Sequence, residues 1–138
     1  MVKTIFNYLL VVSAILVGGF FIYKGITKHW LGSCKVYDLD STIPIMYQQV
    51  ITAFCESGFF KMIGFFQIVG GILFIIPKTR LLGALVLLPI IFNIFTIHLF
   101  LDNRPEELII SGIPLALTFI VALTYLKPIL FFYKRISA

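Results

Sequence analysis

"FFQIVGGILFIIPKTRLLGALVLLPIIFNIFTIHLFLD", residues 65 to 102, decides how this chain folds. Two apolar runs meet at a short turn, Pro77-Lys78-Thr79-Arg80, and neither run alternates polar with apolar residues as a half-exposed strand does. Each approaches the roughly 20 residues that cross a bilayer. Hydrocarbon offers no hydrogen-bond partners, so every backbone N–H and C=O must be satisfied within its own helix or within a closed barrel. Without period-two alternation the barrel is excluded, and the stretch reads as a helical hairpin in lipid.

The rest of the chain extends that reading. Its 138 residues are one domain by length, but 60% hydrophobic and 12% charged residues, with a mean hydropathy of +1.06, do not describe a water-soluble one. Four apolar runs can be drawn, at residues 4–23, 59–76, 81–101 and 108–126, and the charges cluster between them. The expected fold is all-α: a single integral membrane domain over 1–138, built as a four-transmembrane-helix bundle. Pro77, Pro105 and Lys127-Pro128 punctuate its boundaries. A cleaved leader is the alternative for the first run, since Lys3 precedes it and Val12-Ser13-Ala14 resembles a cleavage site. The apolar run continues well past that site, as an uncleaved span does.

Four spans place both termini on one side. That side carries Lys3, Lys78, Arg80, Lys127, Lys134 and Arg135 and no acid; the other carries Lys24, Lys28, Lys35, Lys61 and Arg104 against Asp38, Asp40, Glu56, Asp102, Glu106 and Glu107. The positive-inside rule counts Lys and Arg, and the short Lys78-Thr79-Arg80 turn is its firmest element. Both termini are therefore expected in the cytoplasm, with the protein in the inner (plasma) membrane. The pI of about 9.4 then follows from orientation and anionic lipid, and no nucleic-acid groove is needed.

The long polar stretch between the first two runs holds Cys34 and Cys55. On the outer side they can form a structural disulfide, which would stabilise the loop by about 3 kcal/mol in the chain-entropy model. Free thiols and catalytic exchange are the other readings, the last disfavoured by the absence of C-x-x-C. Within the loop Ile43, Met46, Tyr47, Val50, Ile51 and Phe54 recur every three or four residues, so an amphipathic helix is expected over about 43–56, lying on the membrane or over the bundle. Ser41 or Thr42 can cap it, and Pro44 suits its first turn.

Small and polar residues mark the faces along which helices approach in lipid. Gly18, Ile22 and Gly25 align in the first run, Gly64, Gln67 and Gly71 in the second, and Ser111, Thr118 and Ala122 in the fourth. At 1.5 Å per residue Gln67 lies roughly 10 Å below the outer end of its helix, with Asn93 at similar depth and Thr96 and His98 closer to the outside. His98 and Asp102 are four apart and share a face, and Lys24 and Lys28 leave the first helix at that level. These seven are the candidate ligand-binding residues. They serve either as packing glue or as a small outward-opening pocket for an apolar ligand with a carbonyl or hydroxyl head, such as a quinone. No zinc spacing joins His29, His98 and the cysteines, no Gly-rich phosphate loop is present, and no serine has an evident base partner, so no catalytic or metal residue is assigned.

"FFIYKGITKHW" (residues 20–30), together with the Gly70-Gly71 pair, the Lys-Thr-Arg turn, Asn93 and His98 of the opening stretch, resembles DoxX-like membrane proteins. The resemblance implies a four-helix bundle with a short extra helix after the first span. Some members of that family are subunits of a thiosulfate:quinone oxidoreductase or partners of redox enzymes. Relatives often carry Glu where Gln67 stands, and an amide holds a helix interface or a ligand carbonyl but relays no proton. The leading expectation is an accessory or small-lipophile-binding membrane protein without catalysis of its own. The alternative is the membrane subunit of a quinone-linked oxidoreductase, contacting the quinone through His98, Asn93 and Gln67. A small transporter is third, because no deep charge serves alternating access.

The topology predicts that a membrane-impermeant maleimide, added with reductant to intact cells, labels Cys34 and Cys55. Labelling of both only from the cytoplasmic face would reverse the orientation.

Overall fold

A computed structural model describes residues 2–136, with side chains over residues 4–126; Lys3, Lys127, Lys134 and Arg135 of the basic side lie outside the described side chains. Unbroken apolar sequence between turn residues winds into five α-helices, α1 (Val2–Lys24), α2 (Ile45–Glu56), α3 (Phe59–Ile75), α4 (Arg80–Ile97) and α5 (Pro105–Ile136), and no strand occurs among the described residues. Two π-helical segments extend them: Gly25–Trp30 prolongs α1, and His98–Asp102 prolongs α4.

Helix α3 packs between α1 and α4, and α5 closes the group against α4 and, less extensively, α1. Three helices are long and apolar enough to cross a membrane: Thr4–Trp30, Arg80–Asp102 and Pro105–Leu126; α2 and α3, bent 80° to each other, make a fourth if the pair counts as one span. The first run thus continues six residues beyond Lys24, so Lys24 and Lys28 ride on the helix instead of leaving it. Likewise α5 starts at Pro105, not 108, because proline lacks only an N–H that the first turn does not use, and it runs through Pro128. The α2–α3 bend occurs at Gly58, whose φ of 78° lies in the left-handed region that glycine enters without steric cost.

Polarity is distributed inside out. Gln67, Arg80 and Thr118 are almost fully buried beside Phe74, Leu87, Ile91 and Val121, while Leu16, Phe92, Ile109 and Phe119 face outward. In water such an exterior would be an unusually large apolar patch. The expected contact faces are all interior: Gly64, Gln67 and Gly71 on α3, and Ser111, Thr118 and Ala122 on α5.

The backbones of α1 and α3 nearly touch. A Cβ on Gly18 would stand 2.8 Å from the Gly71 carbonyl oxygen, and one on Gly71 would stand 2.7 Å from that of Gly18. Just past the end of α1 the contact repeats, with the Cβ position of Gly25 2.8 Å from the Gly64 oxygen. Only glycine leaves room for these approaches, which in lipid supply packing that apolar burial cannot.

One expectation, the cap of α2, needs correction. No side chain caps α2: Pro44 occupies the N-cap with extended ψ of 136°, and Ser41 Oγ accepts instead from the Ile43 N–H in a local turn. Arg80, of the turn that serves as the topological marker, is 1% exposed. Its Nε and Nη2 donate to the Phe74 and Ile75 carbonyls at 3.1 and 2.9 Å, and Nη1 donates to the Tyr125 hydroxyl at 2.9 Å. Thr79 Oγ1 donates to the Leu73 carbonyl, so the turn satisfies three of the last carbonyls of α3, where a cation also meets the negative helix end.

Arg80→Ala should therefore destabilise the detergent-solubilised protein by about 3 kcal/mol, since a fully buried charged donor set is lost and Tyr125 loses its partner. Arg80→Lys should recover only part, because an ammonium cannot reproduce the planar fork. Thermal unfolding of the two variants measures this, and equal stability to wild type would show the bonds to be unimportant.

Candidate functional site

The two π segments carry the polar residues of one end of the bundle. Each has i→i+5 bonds, Leu31 N–H to Ile26 O at 2.9 Å and Asn103 N–H to His98 O at 2.6 Å, and Asn103 ends the second in the left-handed conformation with φ of 49°. Insertions of this kind in α-helices are frequent at functional sites. Here the first supplies Lys28 and His29, and the second supplies His98 and Asp102.

Asp102 is the electrostatic centre. Its carboxylate accepts from His98 Nδ1 at 3.0 Å, from the Arg104 backbone N–H at 2.8 Å, and from Arg104 Nε and Nη2 at 3.0 and 2.7 Å. The hydrogen bond to Asp102 holds the Arg104 guanidinium above its usual range. With Nδ1 committed to Asp102, the imidazole of His98 is fixed in orientation and its Nε2 lies 3.9 Å from Glu107 Oε2.

Helix α2 covers this end. Tyr47 is buried, its ring 5.5 Å from that of His98 and 5.7 Å from the Arg104 guanidinium, a stacked arrangement that ties the cover to the Asp102 cluster. At the other end of α2 the ring of Phe54 packs 4.9 and 5.9 Å from Phe59 and Phe60. Cys34 and Cys55 are joined in a disulfide with Cα atoms 5.7 Å apart, which fastens the end of α2 to the segment following the first π turn.

Beneath the cover lies a cavity of about 350 Å³. Its walls are mostly apolar, from Ile51, Phe60, Ile63, Phe66 and Ile90 among others, with Lys28, His29, Tyr47, Asn93 and His98 as the polar points. This is the usual composition of a small-molecule site, at the small end of the customary size range. A second chamber of about 80 Å³ adjoins it, bordered by Lys24, Gln67, Glu107 and Ser111, and the two share Lys28, His29, Ile94 and His98.

Of the seven residues expected from sequence, His98 and Lys28 border both chambers, Gln67 and Lys24 the smaller and Asn93 the larger. Asp102 stands behind His98. Thr96 borders neither chamber; its hydroxyl donates to the Asn93 carbonyl, a local helix bond. Asn93 is exposed and donates its amide to the Pro89 carbonyl. His29, Tyr47 and Glu107 were not anticipated. A signal for His29 existed, since it continues the Gly18, Ile22, Gly25 stripe by four residues. Among the described residues no group of three or more His, Cys, Asp or Glu side chains could hold a metal ion.

No family model, no curated protein and no solved structure matches this chain.

Replacing Asp102 with Ala should cost about 2 kcal/mol, because His98 and the Arg104 N–H lose a buried acceptor. Asp102→Asn, which keeps a carbonyl oxygen for the Arg104 N–H, should cost less. Melting temperatures of the two variants test the order, and equal losses would contradict the acceptor role.

Proposed function

We propose that this chain is a four-span integral membrane protein of DoxX-like type that holds a small lipophilic ligand under α2 and serves as an accessory or ligand-binding subunit. Helix α3 supplies the second span, with α2 folded across its outer end. The inside-out polarity of the bundle supports residence in lipid, where outward Leu, Ile and Phe side chains are solvated and Gln67, Arg80 and Thr118 need protein partners. The disulfide supports an oxidising location for α2 and, with it, cytoplasmic termini.

The observation that carries the ligand-binding reading is the cavity of about 350 Å³ into whose wall His98, oriented by Asp102, is set. Asp102 fixes the His98 ring, which with Tyr47 and Lys28 supplies polar points in an otherwise apolar wall. An apolar body fits the phenylalanine and isoleucine walls, and a polar head fits the histidine end. Redox enzymes are candidate partners through the family resemblance alone, and a quinone is one ligand of the required chemistry.

Purified protein extracted with organic solvent should yield, by mass spectrometry, an apolar molecule in near-stoichiometric amount, and His98→Ala should lose most of it. An empty extract, or unchanged content in the folded variant, would overturn the proposal in favour of packing.

A further inference from the structure

The large cavity is a slot between two helices. Near the turn that joins them, α3 and α4 pack without a gap: a Cβ on Gly83 would overlap the Phe74 backbone, and one on Gly70 would stand 2.9 Å from Leu87 Cδ2. Farther along the same pair, Ile63 and Phe66 of α3 and Ile90 and Ile94 of α4 line the cavity. Phe59, Met62, Phe66, Pro89 and Asn93 belong to the lining and are also exposed, so the cavity is a cleft open on the flank of the pair and not a sealed void. Along α4 the lining runs from Pro89 to His98, a rise of roughly 13 Å. In a bilayer the Pro89 end would lie roughly 20 Å below the outer end of the span at Asp102, well inside a hydrocarbon core about 30 Å thick. The volume of about 350 Å³ holds roughly a dozen non-hydrogen atoms at about 30 Å³ each, enough for much of one hydrocarbon chain and too little for a two-chain lipid.

Charge of one sign marks the other end of the slot. Beside the histidines, Lys28 is the one charged side chain in the lining among the described residues; Asp102 and Glu107 stand outside it. Lys28 is exposed and takes part in none of the ion pairs of this end, which join Asp102 and Glu107 to His98 and Arg104. An ammonium only donates, and it sits on a flexible four-carbon stem that can follow a ligand. A neutral ester or alcohol head leaves its charge unbalanced, whereas a carboxylate supplies acceptors and the opposite charge together.

We infer that the site takes a single-chain fatty acid, its carboxylate paired with Lys28 and its chain lying in the slot between α3 and α4, so that long-chain carboxylates are selected over the matching esters and alcohols. This rests on the ligand-binding reading above and names the class of ligand. The charged group then lies toward the outer boundary and the chain toward the midplane, which is the orientation of a fatty acid in the outer leaflet. A charge-assisted bond beside apolar walls should favour the acid by about fivefold or more.

The test is photo-cross-linking of the full chain in phosphatidylcholine nanodiscs with palmitic acid carrying a mid-chain diazirine, in mildly alkaline buffer that keeps the acid ionised, with peptide mapping by mass spectrometry. Cross-links are expected at Ile63, Phe66, Ile90 and Ile94 in clear excess over the outward-facing Leu16 and Phe119. Unlabelled palmitic acid should compete at concentrations about fivefold or more below those needed for methyl palmitate or hexadecanol, after correction for partitioning. Lys28→Gln should erase that preference while labelling of the slot persists. Equal competition by the acid and its ester, an acid preference that survives Lys28→Gln, or equal labelling of the slot by phosphatidylcholine carrying the same diazirine would overturn the fatty-acid assignment and leave the ligand-binding reading intact. Labelling of the slot no stronger than that of Leu16 and Phe119 with every probe would overturn both.

Discussion

Backbone contact between α1, with its π extension, and α3 is the constraint on which the site depends. Helices surrounded by hydrocarbon gain little from burying apolar side chains against one another, because lipid solvates those side chains equally well. Close approach is what remains, and the Gly18–Gly71 and Gly25–Gly64 contacts bring carbonyl oxygens to within 3 Å of where a Cβ would stand. Such an approach leaves side chains flanking the crossing with little freedom. His29 and Gln67 flank it, which is why two polar groups that sequence separates by 38 positions border one chamber.

The π segments convert long helices into a site. The wider π turn shifts the angular position of the residues after it, and the two segments carry Lys28, His29, His98 and Asp102 at one end of the bundle. The second segment is tied down: Asn103 caps it, and Asp102 gathers His98 and Arg104 around one carboxylate. Helix α2 is then fastened above by Tyr47 on one side and the Cys34–Cys55 link on the other. The contacts that hold the cover, Tyr47 with His98 and Phe54 with Phe59 and Phe60, form part of the cavity wall.

The opposite end of the bundle is built on a different principle. There Arg80 folds under the turn and takes the terminal carbonyls of α3, with Tyr125 completing its donors. A charge in that position costs desolvation, and the hydrogen bonds and the helix end together offset it. One end of the bundle is thus closed by a buried cap on the α3 carbonyls, while toward the other, among the described residues, Gln67 Oε1 and His29 Nδ1 are buried without a hydrogen-bond partner.

What the sequence determined by itself was periodic and local. Apolar runs without alternation specify helices; small and polar residues three, four or seven apart identify the interior faces of α3 and α5; and the Met46-to-Phe54 pattern marks α2. The pairing of His98 with Asp102 was legible for the same reason, being a four-residue spacing on one helix. Tertiary structure alone decided the rest. Continuation of α1 past Lys24 as a π helix depends on the Gly25–Gly64 contact with another helix, so a terminus drawn at the first lysine missed His29. Arg80 reads only as one cation of a basic turn until the carbonyls of α3 are seen to need donors, and Thr96, apolar-flanked and well placed by spacing, spends its hydroxyl on its own helix. Sequence spacing fixes the face on which a residue lies, but the neighbours that satisfy its polar atoms come from other elements, and only their packing decides which atoms remain unpaired.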